Sequence, residues 1–151
     1  MKPLIILLVV FILTLLAGYL FTSEWELVFA GNLAMSAMLM FTALGHFKYP
    51  HGMSLMVPDI LPFRVTIIYV TGLLEIAAAI GLMVPTVRHI AAVFLIIFFI
   101  AILPANIYGA MKRVNLEKGN YEGPGPSYLW FRIPLQLFFI AWICYFCLES
   151  R

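Results

Sequence analysis

Glu75 stands inside Tyr69-Val70-Thr71-Gly72-Leu73-Leu74-Glu75-Ile76-Ala77-Ala78-Ala79, within an apolar run long enough to cross a bilayer. A carboxylate near the centre of such a helix costs about 2.5–3.5 kcal/mol to insert. A group of that kind is paired, protonated or turned toward a polar cavity. It marks the interior of a bundle and is a candidate for proton transfer or ligand binding. His46, Asn106, Arg132 and Gln136, with Tyr69 and Tyr108 nearby, are the groups that could act with it. At about 1.5 Å of rise per residue, Glu75 lies about 16 Å in from Arg64, near the midplane. His46, Asn106 and Arg132 fall within roughly 6 Å of the ends of their segments by the same rise, and Gln136 falls between the two levels. The expected arrangement is a polar funnel that opens at one membrane surface and ends at Glu75. Within it Glu75 would donate or accept a proton, Arg132 and Gln136 would orient a carbonyl, and His46 would relay protons to the surface. A direct Glu75–Arg132 ion pair would have to close about 11 Å of axial offset. The plainer alternative is interhelical packing, since hydrogen bonds between membrane helices average about 0.6 kcal/mol and help fix their register. Packing alone explains Glu75 least well, because glutamine would bond at lower insertion cost.

Two further constellations carry chemistry by residue type. Cys144-Tyr145-Phe146-Cys147 is a C-x-x-C, and these are the only cysteines. A redox pair of this spacing ordinarily sits at a helix N-terminus, where the dipole favours the thiolate. This one falls at the end of an apolar segment, which fits two incidental buried thiols better than a redox centre. His51, Met53 and Met56, with Met35 and Met38 elsewhere, offer imidazole and thioether groups of the kind that hold copper(I). Met35 and Met38 lie too far from the others along the chain, so filling of apolar gaps explains the methionines better, and no metal site is expected. No Gly-rich phosphate loop, H-E-x-x-H or nucleophile elbow is present.

The elements that must position these residues follow from composition. Hydrophobic residues make up 64% of the 151, charged residues 11%, and the mean hydropathy is +1.06. A soluble domain of this size could not bury that much apolar surface, so the partner of most side chains is the lipid bilayer. A net charge of +2 gives no reason to invoke nucleic acid. Five apolar stretches, roughly 3–21, 27–47, 65–84, 89–110 and 129–148, are each about the 20 residues a spanning helix needs. Lipid offers no partner for backbone groups, so all five are expected to be helices of one membrane domain covering 1–151.

The first stretch is almost wholly aliphatic and reads as a retained helix on the outside of the bundle. A signal peptide is the other reading, but Ala17-Gly18-Tyr19 and Leu20-Phe21-Thr22 are poor cleavage sites. Ser23 and Glu26 have capping-box spacing for the second helix. Asn32, Ser36, Ala43 and His46 form one small, polar stripe along it. The connection from Lys48 to Phe63 holds Pro50, Pro58 and Pro62, yet it is too apolar for a free aqueous loop. It is expected to lie in the interface or over the bundle mouth. Pro85 to Arg88 is a tight turn between antiparallel neighbours, Pro104 is expected to kink the fourth helix, and Pro134 falls in the first turns of the fifth, where it is tolerated. Lys2, Lys48, Arg64, Lys112, Arg113, Lys118 and Arg132 all fall on one side of this topology, while Arg88 and Arg151 fall on the other. The positive-inside rule makes the first side cytoplasmic, with the N-terminus there and the C-terminus outside a bacterial inner membrane.

Several stretches resemble the DoxX family of small integral membrane proteins. They are Phe41-Thr42-Ala43-Leu44-Gly45-His46-Phe47, Met56-Val57-Pro58, Leu61-Pro62, Tyr69 to Ile76, Leu103-Pro104-Ala105-Asn106-Ile107-Tyr108 and Trp130-Phe131-Arg132-Ile133-Pro134-Leu135-Gln136. Together they span about residues 30–147. The resemblance implies an all-α, four-helix transmembrane bundle, to which the first helix is an addition. It implies little about activity, and the leading expectation is an accessory or assembly subunit of a membrane redox system, with other redox subunits as partners and a homo-oligomer as one form of assembly. The opposing expectation is an enzyme or carrier that acts on a quinone or another small apolar molecule at the Glu75 pocket. The residues alone do not decide whether the chain turns anything over.

Overall fold

The computed structural model describes residues 2–148, and all of the regular structure in them is helical apart from one isolated bridge between Asn115 and Asn120. The long helices are α1 (Lys2–Thr22), α2 (Leu27–Lys48), α4 (Arg64–Met83), α5 (Arg88–Met111) and α6 (Leu129–Ile143). A short α3 (Pro50–Ser54) lies in the connection between α2 and α4, and α6 continues as a π-helical turn over Cys144–Leu148. Five helical segments are long and apolar enough to cross a membrane. Their bounds follow the apolar stretches closely because each run of lipid-compatible side chains must close its own backbone bonds.

The chain order sets the packing. α2 packs against α4, α4 against α5, and α5 against α6, while the end of α6 returns to α2. Ala34, Met35, Met38, Leu39, Ala78, Leu82, Leu95 and Ile143 fill the space between them. Met35 and Met38 are thus core fillers. α1 lies against α2 with Leu7 buried, and its Phe11 ring meets Trp142 edge-on at 4.9 Å. Most of its other side chains face outward, as an aliphatic helix without a polar face should in lipid.

Arg88 closes the α4–α5 turn by donating from Nε to the Leu82 carbonyl, 2.9 Å away, at the end of α4. The capping box at Ser23 does not form. Ser23 is itself in the left-handed region (φ 57°), and Glu26 occupies the N-cap without a side-chain bond. The turn consumes the residue that would have capped the helix.

The connections at the other end fold together. Pro50 opens α3, where its missing N–H costs nothing. Gly52 lies so close to the Leu116 carbonyl that a Cβ there would come within 2.0 Å of the oxygen. Met56 fills the notch left by Gly109 on α5, and Lys2 reaches Glu117 at 3.0 Å. Asp59 pairs with Arg64 and accepts from the Tyr108 hydroxyl at 3.1 Å. The segment after α2 and the loop after α5 therefore form one cap over this end of the bundle.

Candidate functional site

The α2–α4 contact places the site. Three bonds fix its antiparallel register. Ser36 Oγ donates to the Ala79 carbonyl at 2.7 Å, Thr42 Oγ1 lies 2.9 Å from Glu75 Oε2, and Thr71 Oγ1 lies 3.0 Å from His46 Nδ1. Position 36 thus meets 79, 42 meets 75 and 46 meets 71. The backbones approach closely because Gly72 has no side chain. A Cβ there would sit 2.8 Å from His46 Cβ and 3.3 Å from the Phe47 ring.

Glu75 is 5% exposed and has a partner facing each carboxylate oxygen. Oε1 lies 3.3 Å from His46 Nε2, and Oε2 meets the Thr42 hydroxyl. His46 Nδ1 lies 3.0 Å from the Ile68 carbonyl as well as from Thr71, whose own hydroxyl donates to that carbonyl at 2.8 Å. A carbonyl only accepts, so Nδ1 carries a hydrogen and donates it. That assignment decides the other nitrogen. A bare Nε2 facing an ionised carboxylate would set two lone pairs against each other. The pair therefore carries one proton at this contact, either on the imidazolium Nε2 or on the carboxyl. In both forms the pair is net neutral, which removes most of the cost of placing it in an apolar bundle.

The two helices supply the pair reciprocally. Thr42 precedes His46 by one turn on α2 but bonds Glu75, and Thr71 precedes Glu75 by one turn on α4 but bonds His46. Neither threonine stands out by composition, since threonine is common in membrane helices as a bond to its own backbone. The signal for them is the shared spacing, Thr-x-x-x-His on one helix and Thr-x-x-x-Glu on the other.

The other expected residues are placed elsewhere. Gln136 is buried on α6 and donates from Nε2 to the Phe99 carbonyl, one residue before the carbonyl that Pro104 leaves without its helical N–H. Its Oε1 has no partner among the described residues. Gln136 borders a small cleft of about 70 Å³ between α5 and α6, otherwise lined by apolar residues such as Leu103 and Ile133. Arg132 is partly exposed and makes no ion pair among the described residues, so the basic side chain beside Glu75 is His46. Asn106 is buried on α5 and makes no bond to the pair. Tyr69 stacks near Phe47, with ring centres 5.8 Å apart, and Tyr108 belongs to the Asp59 cap. The single funnel expected from helical rise is thus divided. His46 and Glu75 meet because antiparallel helices bring a residue near one end of α2 beside one deeper in α4, and both side chains span the gap. Cys144 and Cys147 are free thiols in the π-helical turn. In the same turn the Phe146 carbonyl accepts from Asn32 Nδ2 at 3.3 Å.

Bilayer-length apolar helices around a buried, neutral ion pair define a class, the polytopic all-helical chain suited to lipid. Within that class the chain belongs to the family described as "Domain of unknown function (DUF8561)", whose model matches residues 35–147. This overturns the resemblance to DoxX, because the family model that covers those residues is a different one. The short stretches that carried the resemblance are small, apolar and proline-containing membrane motifs, a vocabulary that helix packing imposes on unrelated bundles. No curated protein and no solved structure matches the chain.

Proposed function

We propose that this chain is a proton-handling integral membrane protein whose exchange site is the His46–Glu75 pair. The observation that supports the reading best is the Ile68 carbonyl at His46 Nδ1, which leaves a single proton to be shared between Nε2 and Oε1. A shared proton can leave or arrive without opening the helix contact. The His46 side chain is 14% exposed against 6% for Glu75, and His46 stands two residues from the last residue of α2, so exchange runs through the histidine. By the positive-inside rule the distribution of Lys and Arg supports that end as the cytoplasmic side of a bacterial inner membrane, with the N-terminus there and the C-terminus outside.

A second reading keeps the pair as structure and the protein as an accessory subunit. It is favoured by Ser36 on the Ala79 carbonyl and by Trp142 Nε1 on the Gly31 carbonyl at 3.1 Å, bonds that serve packing alone. Vesicles reconstituted with the protein and loaded with a pH dye separate the two. Glu75→Gln keeps the shape and one bond to His46 but cannot bind the exchangeable proton. Proton uptake driven by a potassium-diffusion potential is expected to fall at least about tenfold in this variant, on the scale of one lost proton-transfer group. Uptake equal to wild type would leave the pair as structure and favour the accessory role.

A further inference from the structure

Thr42 has one hydroxyl hydrogen and two acceptors. Its Oγ1 lies 2.9 Å from the Leu39 carbonyl on its own helix and 2.9 Å from Glu75 Oε2 on the other. The two acceptors differ in how they respond to the shared proton. The Leu39 carbonyl is the same whether Glu75 is ionised or not. Oε2 belongs to a carboxylate when the proton is on His46 and to a neutral carboxyl when the proton is on Oε1. A bond to the ionised form is roughly twice as strong.

We propose, resting on the proton-exchange reading above, that Thr42 is the positioning residue that sets where the shared proton rests. By donating to Oε2 it holds Glu75 as the carboxylate and keeps the proton on His46 Nε2. When the proton passes from Nε2 to Oε1, no net charge appears, and the Thr42 hydroxyl turns back to the Leu39 carbonyl. Thr71 and the Ile68 carbonyl add to the effect of Thr42, because both accept from Nδ1–H and do so more strongly from an imidazolium. Thr42 is the adjustable member, as its hydroxyl alone chooses between the carboxylate and a backbone carbonyl.

Infrared spectroscopy of the protein in bilayers tests this, with the Glu75 bands identified by subtraction of Glu75→Gln. In Thr42→Val, which keeps the shape and removes the hydroxyl, the ratio of protonated to ionised Glu75 is expected to rise roughly tenfold, the difference between a charged and a neutral hydrogen bond. Thr42→Ser restores the hydroxyl and is expected to return the wild-type ratio. Thr42→Ala serves in the same measurement if the valine variant does not fold. An unchanged ratio in the variants that lack the hydroxyl overturns the role of Thr42 and leaves the proton-sharing pair standing. A Glu75 carboxyl signal that His46→Gln does not move, in either background, overturns the pair itself and with it the role of Thr42.

Discussion

The chemistry of the site rests on four side chains and one backbone carbonyl. Ile68 supplies the group that neither composition nor motif reveals, an acceptor that forces the hydrogen onto His46 Nδ1. Glu75 was legible from sequence, because a carboxylate in a spanning helix is costly enough to demand a reason. His46 was legible as a polar residue at a helix end, but its contact with Glu75 was not, because axial rise counts backbone and ignores the reach of two facing side chains. Arg132, expected to orient a carbonyl in a funnel shared with Glu75, sits partly exposed on α6, whereas α4 packs against α2. Charge alone cannot rank partners when the helix neighbours are unknown. Thr42 and Thr71 are visible in retrospect through their common spacing to the titratable residue on the same helix.

At the scale of elements, the site depends on how closely α2 and α4 approach. Gly72 sets that distance, because any Cβ would meet His46 Cβ at 2.8 Å. Gly72→Val is expected to push the helices apart, destabilise the protein by about 1–3 kcal/mol as overpacking does, and break the Thr71–His46 bond. Unfolding in mixed micelles checks the first effect, and the Glu75 infrared bands check the second. Gly31 plays the matching part where α6 returns to α2, with the Phe146 ring 2.4 Å from where its Cβ would be. The helices themselves were readable almost to the residue, since apolar length sets them. The π-helical turn at Cys144–Leu148 was not, because it answers to tertiary demands. It carries the Phe146 ring to Gly31 and the Phe146 carbonyl to Asn32.

For the whole molecule, charge and cap agree. Lys2, Lys48, Arg64, Lys112, Arg113, Lys118 and Arg132 all lie at the end where α3 and the loop after α5 fold together. Arg151 lies outside the described residues. The cap covers the end at which His46 stands. In a background with Cys144→Ser and Cys147→Ser, a membrane-impermeant maleimide is expected to label Lys118→Cys in inverted membrane vesicles and not in intact cells. Labelling from outside intact cells would reverse the orientation. The apolar content of the segment from Met53 to Phe63 already excluded a free loop, but the glycine contacts that seat α3 on Leu116 could not be read before the two connections were placed together.

The central claim is that one proton is shared between His46 Nε2 and Glu75 Oε1 while Nδ1 keeps its own hydrogen. Nitrogen-15 magnetic resonance of histidine-labelled protein in bilayers, with His46 assigned by its loss in His46→Gln, reads both ring nitrogens directly. The account predicts a protonated Nδ1 at all times and an Nε2 whose signal changes in Glu75→Gln. A bare Nδ1 with hydrogen held only on Nε2, unaffected by Glu75→Gln, would contradict it.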